Sequence, residues 1–285
     1  MFRVAKHLMR GLGVIDESVD VSETDGVRAL HLGSVTIQSA MRIREPFSLE
    51  LTYTRAIMCF LLFKPMIKNV LAIGLGGGSL AKYMHAYCRD IQSIVIELNP
   101  KIIQIAHNQF YVPENDERLE VIEGDGLVYL AEHADVAEVL LIDAFDSNGI
   151  PPNFCSQDFF DQCATTLMDD GILVINLWGS DKKYDVYLQR IEQSFDGRVL
   201  ILPTGKPGNI AVFAFKREPA DLRLASLRER AKLLEKTHKV EFLQFVDKLA
   251  EHNASTNNRI FLKSDSWAWT KTKRLTDTLQ PARGD

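Results

Sequence analysis

The sequence predicts an α/β protein: a doubly wound, mostly parallel sheet preceded by a small N-terminal antiparallel β cap. Three observations lead to this class. From residue 69 to about 216, apolar runs alternate with segments of helical period, and the runs are continuously apolar, as in strands covered on both faces. A glycine-rich turn, Gly74-Leu75-Gly76-Gly77-Gly78, stands between the first such run and the helix after it. Before residue 49 the pattern differs, with short β-like pieces broken by Asp25-Gly26 and by Gly33.

In chain order, the cap over residues 1–48 carries β-like pieces at 12–21, 27–32 and 34–38, and its hairpin signal is Asp25-Gly26, where a positive φ costs little. Residues 50–63 read as one helix, because Tyr53, Ile57 and Leu61 repeat at a spacing of four. The second region, 49–218, continues as strand 69–73, helix 79–86, strand 91–98, helix 101–108, strand 119–123 and short helix 127–131. Strand 136–142, helix 157–167, strand 171–177 and helix 184–195 follow. Segments 199–202 and 210–215, parted by a Pro- and Gly-bearing loop over 203–209, form a closing antiparallel pair. The third region, 219–285, is a C-terminal helical extension and tail: helices at 222–234 and 240–249, then a polar stretch in which Trp267 and Trp269 read as packing anchors or as part of a substrate or subunit contact.

At 285 residues, 46% hydrophobic and 25% charged, the chain can bury a large core. Its net charge of −5, with basic residues spread and not striped, argues against a nucleic-acid partner and suits a cationic small molecule. Cys59, Cys88, Cys155 and Cys163 are too far apart for a structural zinc site and read as reduced, mostly buried thiols of an intracellular protein. The most apolar run, 57–63, is too short to cross a bilayer, and the amino terminus has no signal-peptide pattern, so a cytoplasmic location is expected. His31, His85, His107 and His133 show no ligand spacing, so no metal is expected.

The glycine run gains meaning from its place between strand and helix. Gly74, Gly76, Gly77 and Gly78 let a ligand approach the backbone, and the next helix presents unpaired amides. Glu97 ends the second strand, where a carboxylate accepts both ribose hydroxyls and repels a 2′-phosphate. The third strand ends in Asp125-Gly126, with Asp125 placed either to accept from the exocyclic amine of a base or to cap the helix that follows. Because the parallel strands finish soon after Leu177, a one-nucleoside ligand fits better than a dinucleotide.

The fourth strand finishes at Asp143, with Asp146 three residues on. Open sheets bind ligands outside the carboxyl ends of their strands, so both belong beside the adenosyl group. Together they can hold an amine cation, and one can take its proton as the nitrogen becomes nucleophilic. Gln38, Glu50 and Tyr53 come from the cap and the segment after it: Tyr53 to hydrogen-bond the amine or Asp143, Glu50 to add negative charge to the pocket.

These residues resemble the spermidine synthase family, the aminopropyltransferases built on a methyltransferase-like Rossmann sheet, over roughly residues 10–216. Gly74 to Gly78 resemble the family's cofactor loop, Glu97 its ribose-binding strand end and Asp125-Gly126 its adenine-side motif. Asp143 and Asp146 resemble its paired aspartates, the first activating the amine and the second binding the polyamine. Gln38 and Tyr53 resemble elements that close over the substrate, the glutamine near the cofactor and the tyrosine near the amine. The resemblance implies decarboxylated S-adenosylmethionine as cosubstrate with no tightly bound cofactor, a diamine such as putrescine as acceptor, spermidine and methylthioadenosine as products, and a homodimer. Ser79 stands where the family commonly has an acidic residue after its glycine run, and Ala144 and Phe145 lie between the aspartates where it has small hydroxyl residues.

Other activities use the same parts. Methyl transfer from S-adenosylmethionine to an unknown small acceptor needs the same glycine turn, Glu97 and Asp125, and a non-catalytic adenosyl-binding protein needs no Asp143 in the cleft. A nicotinamide enzyme would need room for a second nucleotide.

Overall fold

The computed structural model describes residues 18–33, 36–144, 149–205 and 208–263. In the cap, β1 (Val19–Thr24), β2 (Val27–Leu32) and β3 (Ile37–Arg42) form an antiparallel sheet in the order β1-β2-β3. Asp25 and Gly26 make the two-residue turn with φ of 52° and 74°, the left-handed geometry that matches strand twist. The piece expected at 12–21 is seen only from Val19, and 12–17 lie outside the described residues. The piece expected to end at residue 38 instead runs to Arg42, because Ala40 and Met41 are buried and Met41 packs with Leu30 and Phe110.

The single helix expected over 50–63 is two: α1 (Thr52–Ile57) and α2 (Phe60–Phe63). Between them Cys59 N donates to Ala56 O (3.0 Å), Leu61 N to Met58 O (3.1 Å) and Leu62 N to Cys59 O (2.9 Å), the tighter turn of a 3-10 helix. Every residue from Ala56 to Phe63 is buried, so packing on all sides, and not one apolar stripe, sets the local geometry.

Among the described residues the main sheet has seven strands in the order β6-β5-β4-β7-β8-β10-β9. They are β4 (Asn69–Ile73), β5 (Gln92–Glu97), β6 (Leu119–Glu123), β7 (Ala137–Ile142), β8 (Leu167–Trp178), β9 (Val199–Pro203) and β10 (Asn209–Phe215). Strands β4 to β8 are mutually parallel, and β10 runs antiparallel to both β8 and β9. Side chains alternate between two cores: Val70, Ala72, Val139, Leu141, Val174 and Phe213 face one way, Leu71, Ile73, Leu140, Ile142, Ile175 and Val212 the other. The first face carries α1, α2, α3 (Ser79–Tyr87) and α4 (Pro100–Phe110), the second α5 (Gly126–Glu132), α6 (Gln157–Thr166) and α7 (Tyr184–Ser194).

Helices α8 (Leu224–Thr237) and α9 (Phe242–His252) pack on each other and join the first core through Leu227, Phe242, Phe245 and Leu249. Asn253 then pairs with the edge strand β9, accepting from Ile201 N (2.9 Å) and donating to Ile201 O (2.8 Å), which covers an edge that would otherwise template aggregation. Cys59, Cys88, Cys155 and Cys163 are buried. Among the described residues no helix is long and apolar enough to cross a membrane, and no group of His, Cys, Asp or Glu converges to hold a metal ion.

Candidate active site

The glycine turn joins β4 to α3 at the carboxyl end of the sheet. Gly74 adopts φ +97°, donates to Ile96 O (2.9 Å) and lies so close to β7 that a Cβ there would sit 2.5 Å from the Asp143 carbonyl oxygen. Only glycine allows both that backbone angle and that approach. Gly76, Gly77 and Gly78 continue the turn, and a Cβ on Gly77 would meet Ser39 Oγ at 2.7 Å. Ser79, the first residue of α3, is buried and its hydroxyl meets that of Ser39 at 3.1 Å, so two small hydroxyls dock the cap strand β3 onto the turn.

Glu97, buried at the end of β5, folds its carboxylate against the same turn: Oε2 accepts from Leu75 N and Oε1 from Asn99 N, both at 2.9 Å. Burial pushes its pKa up, while the amides of Leu75, Asn99, Gly76 and Leu98 pull the other way. Asp125 follows β6 and caps α5, its Oδ1 accepting from Leu127 N at 2.8 Å, the second of the two uses that the sequence leaves open. Gly126, the first residue of α5, packs against Ile73; a Cβ would come within 2.4 Å of Ile73 Cγ2.

Asp143 extends β7 by one more sheet contact, its N donating to Ile73 O at 3.1 Å. The Tyr53 hydroxyl, from the first turn of α1, lies 3.3 Å from Asp143 Oδ2 and 3.1 Å from Gln38 O. Asn176 Nδ2 donates to Asp143 Oδ1 at 3.0 Å, and Asn209 Nδ2 donates to Asn176 Oδ1 at 3.0 Å. Asn209 is fixed in turn through its carbonyl, which accepts from Thr204 N and Thr204 Oγ1, both at 2.9 Å. The amide chain thus runs across β7, β8 and β10 and ends on one carboxylate. Sequence reasoning missed Asn176 and Asn209; the one local signal was the Asn176 amide inside the apolar run 171–177, where a buried polar group needs a partner.

Burial pushes the Asp143 pKa up to about 6, against the hydrogen bonds from Asn176 and Tyr53. The Tyr53 phenol is held well above its usual pKa by burial and then by the Asp143 charge, so it stays a neutral donor. A carboxylate poised near neutrality and oriented by two hydrogen-bond donors, Tyr53 and Asn176, is equipped to accept a proton.

One expected member stands apart. Glu50 gives its carboxylate to Arg42, with Oε1 2.5 Å from Nη2 and Oε2 3.1 Å from Nε, so its charge is neutralised there instead of adding to the Asp143 pocket. The reason is reach: Arg42 closes β3 and points its guanidinium at the segment that leads into α1. Asp146, with Phe145, lies outside the described residues, as do Trp267 and Trp269. Gln38 is held by its backbone to Tyr53, while its buried Nε2 has no hydrogen-bond partner.

A glycine turn after the first strand of the main sheet, an acid at the end of the second and a buried carboxylate at the end of the fourth belong to a doubly wound α/β protein of the kind that binds nucleosides at the carboxyl ends of its strands. Residues 50–237 match the spermine/spermidine synthase domain, and the chain belongs to that family. It is 38% identical over 244 residues to the polyamine aminopropyltransferase of Chromobacterium violaceum, covering 86% of this chain and 94% of that protein. Identity to the polyamine aminopropyltransferase of Neisseria meningitidis serogroup A is 37% over 245 residues, with coverage of 86% and 93%. Spermidine synthase from Thermotoga maritima has the same fold, with a TM-score of 0.63, 20% identity, and coverage of 85% of this chain and 82% of that one.

Proposed function

We infer that this chain is an aminopropyltransferase, moving an aminopropyl group from a nucleoside derived from S-adenosylmethionine to a small amine. The observation that carries the reading is Asp143, a buried carboxylate with a pKa near 6, held by Tyr53 and Asn176 beside the glycine turn. Membership of the family and 38% identity to a polyamine aminopropyltransferase support it.

In the finer proposal the cosubstrate is decarboxylated S-adenosylmethionine, with no tightly bound cofactor, and the acceptor is a diamine such as putrescine. Gly74, Gly76, Gly77 and Gly78 leave room for the nucleoside, Glu97 takes the ribose hydroxyls, and Asp125 with Gly126 lies against the base. The buried, unpartnered Nε2 of Gln38 suits a ligand acceptor, since an unmet buried donor is costly. Asp143 removes a proton from the acceptor ammonium, and Asp146 adds negative charge for the acceptor's second amine. The free nitrogen lone pair attacks the carbon next to the sulfonium, that carbon–sulfur bond breaks toward sulfur, and neutral methylthioadenosine leaves. Proximity and proton removal supply the rate. A cytoplasmic homodimer belongs to the same proposal, as does the partition into cap (1–48), nucleoside-binding region (49–218) and C-terminal extension (219–285).

The test is calorimetric titration with decarboxylated and with ordinary S-adenosylmethionine, each with and without putrescine, together with an assay for methylthioadenosine. Preference for the decarboxylated form, strengthened by putrescine, with methylthioadenosine release, is the expected result. Preference for ordinary S-adenosylmethionine and indifference to diamines would replace aminopropyl transfer by methyl transfer.

A further inference from the structure

Tyr53 sits on a helix that has little reason to be stable alone. Helix α1 has six residues, and its N-cap, Leu51, offers no side-chain cap. A helix this short gains almost nothing from its own hydrogen bonds and must be held from outside. Its buried residues Thr54, Ala56 and Ile57 pack on the sheet, and the side chain that holds its entry is Arg55. Its Nη1 donates to Leu49 O (3.1 Å) and Glu50 O (2.7 Å), and its Nη2 to Thr52 Oγ1 (3.1 Å), so one guanidinium gathers the turn that leads into Tyr53.

The same guanidinium is anchored from the far end of the chain. Arg55 Nε lies 3.0 and 2.9 Å from the two oxygens of Glu241, 186 residues away. Glu241 occupies the N-cap position of α9 but makes no capping bond there; Leu243 N in that first turn is met by Glu235 Oε1 at 2.8 Å. The Glu241 carboxylate is therefore committed to Arg55 and not to its own helix. Both side chains are largely shielded, with 21% and 27% exposure, which spares the pair much of the screening that weakens surface ion pairs. Two further ion pairs, Lys239 with Glu45 (3.1 Å) and Arg42 with Glu50 (2.5 Å), line the same cleft of about 430 Å³ between the cap, the entry to α1 and the start of α9.

We propose that Glu241 and Arg55 are positioning residues for the reaction: the Glu241–Arg55 clamp, reaching in from the C-terminal helices, fixes the short helix α1 so that the Tyr53 hydroxyl meets Asp143. Glu241 lies outside the 50–237 span that matches the family domain, so the clamp ties the reacting centre to a part of the chain beyond that span. The idea rests on the reading of Asp143 as the base that serves the amine acceptor.

Two measurements on the full chain test it. Amide hydrogen exchange is followed by mass spectrometry over residues 49–57 in wild type, Glu241→Gln and Arg55→Lys, with Asp247→Asn, which breaks the surface pair with Arg228 between α8 and α9, as control. The clamp variants should exchange faster over 49–57 with α3 and α5 unchanged, and the control should match wild type. Steady-state kinetics with saturating nucleoside then give kcat and KM for the amine. Glu241→Gln should lower kcat/KM about tenfold, the scale of a small misplacement of a reacting group. In a Tyr53→Phe background the same change should add almost nothing. Unchanged exchange over 49–57, or a Glu241→Gln loss that persists in full without the Tyr53 hydroxyl, would overturn the clamp. Should the wild-type chain release no methylthioadenosine, aminopropyl transfer fails as the function, while the exchange measurement still decides whether Glu241 holds α1. Arg55→Lys carries the test if Glu241→Gln does not fold.

Discussion

The Tyr53 hydroxyl and the Asp143 carboxylate meet at 3.3 Å across 90 residues of sequence, and each alters the other's chemistry. Donation from Tyr53 favours the charged carboxylate against its burial, while burial first and then the carboxylate's charge keep the phenol protonated. The pair holds one negative charge and one proton donor side by side, the arrangement that the proposed proton removal from an acceptor ammonium uses.

The first prediction concerns pH. With Asp143 near pKa 6, kcat/KM for the amine should have an acidic limb centred near pH 6, below which the base is already protonated. Tyr53→Phe removes a hydrogen bond to the charged form, so the limb should move to higher pH. A limb that stays in place would mean that Tyr53 does not act through Asp143.

Asp143→Asn should abolish transfer yet stabilise the fold at neutral pH. The folded-state pKa of Asp143 is raised from 3.8 to about 6. Between these values the folded state binds more protons than the unfolded one, so the stability present below the unfolded pKa is lost as pH rises through 6. An asparagine can accept from Asn176 and donate to the Tyr53 oxygen without carrying charge. Urea denaturation should therefore show the variant gaining on wild type between pH 4.5 and 7.5, by about 2–3 kcal/mol at most. Parallel stability curves would refute the burial argument.

Much of this site was legible because strand ends announce themselves. Gly74, Glu97, Asp125 and Asp143 each terminate an apolar run, and in an open parallel sheet the carboxyl ends converge. Asn176 and Asn209 were not legible as members of the site: Asn176 lies within a strand and Asn209 opens one, and only the order β7-β8-β10 brings an amide on one strand beside a carboxylate at the end of the next. The break between α1 and α2 also escaped, because Tyr53, Ile57 and Leu61 keep helical spacing while burial on every side overrides it. The pairing of Glu50 with Arg42 depends on how two flexible side chains meet across the entry to α1, which no local pattern encodes.

Asn209→Ala should act at a distance on Asp143. It removes the donor that fixes the Asn176 amide, leaving that amide free to turn and Asp143 Oδ1 without a steady partner. The expected result is a fall in kcat/KM for the amine of about tenfold with nucleoside affinity unchanged in calorimetry, since Glu97 and the glycine turn are untouched. Equal losses in both would show that the variant disturbs the sheet as a whole.

Gly74→Ala should damage both halves of the site at once. The added Cβ would lie 2.5 Å from a backbone carbonyl that cannot swing aside, in a residue already at φ +97°. A loss of folding stability of roughly 2 kcal/mol or more is expected, with weakened nucleoside binding in the remaining folded protein. Thermal unfolding and calorimetry check the two effects separately, and a variant as stable as wild type would contradict the close approach of the turn to β7.

Lys82 supplies a stability signature of opposite sign to that of Asp143. It is buried on α3, its Nζ donates to Phe110 O at 2.8 Å, and the Phe110 ring lies under the glycine turn, 2.9 Å from where a Cβ on Gly77 would sit. Burial lowers its pKa from 10.5 to about 7. Below pH 7 the amine is charged in both states and the folded protein bears the whole cost of burying that charge. Between pH 7 and 10.5 the unfolded chain keeps its proton while the folded state has lost it, so the unfolded state binds more protons and stability rises with pH. Lys82→Met has no such proton to lose, though it leaves the Phe110 carbonyl without its donor, at a cost of about 1–3 kcal/mol at every pH. Wild type should therefore gain on Lys82→Met in urea denaturation between pH 6.5 and 9.5. A constant difference would mean that Lys82 keeps its charge when folded and that the Phe110 carbonyl is enough to solvate it.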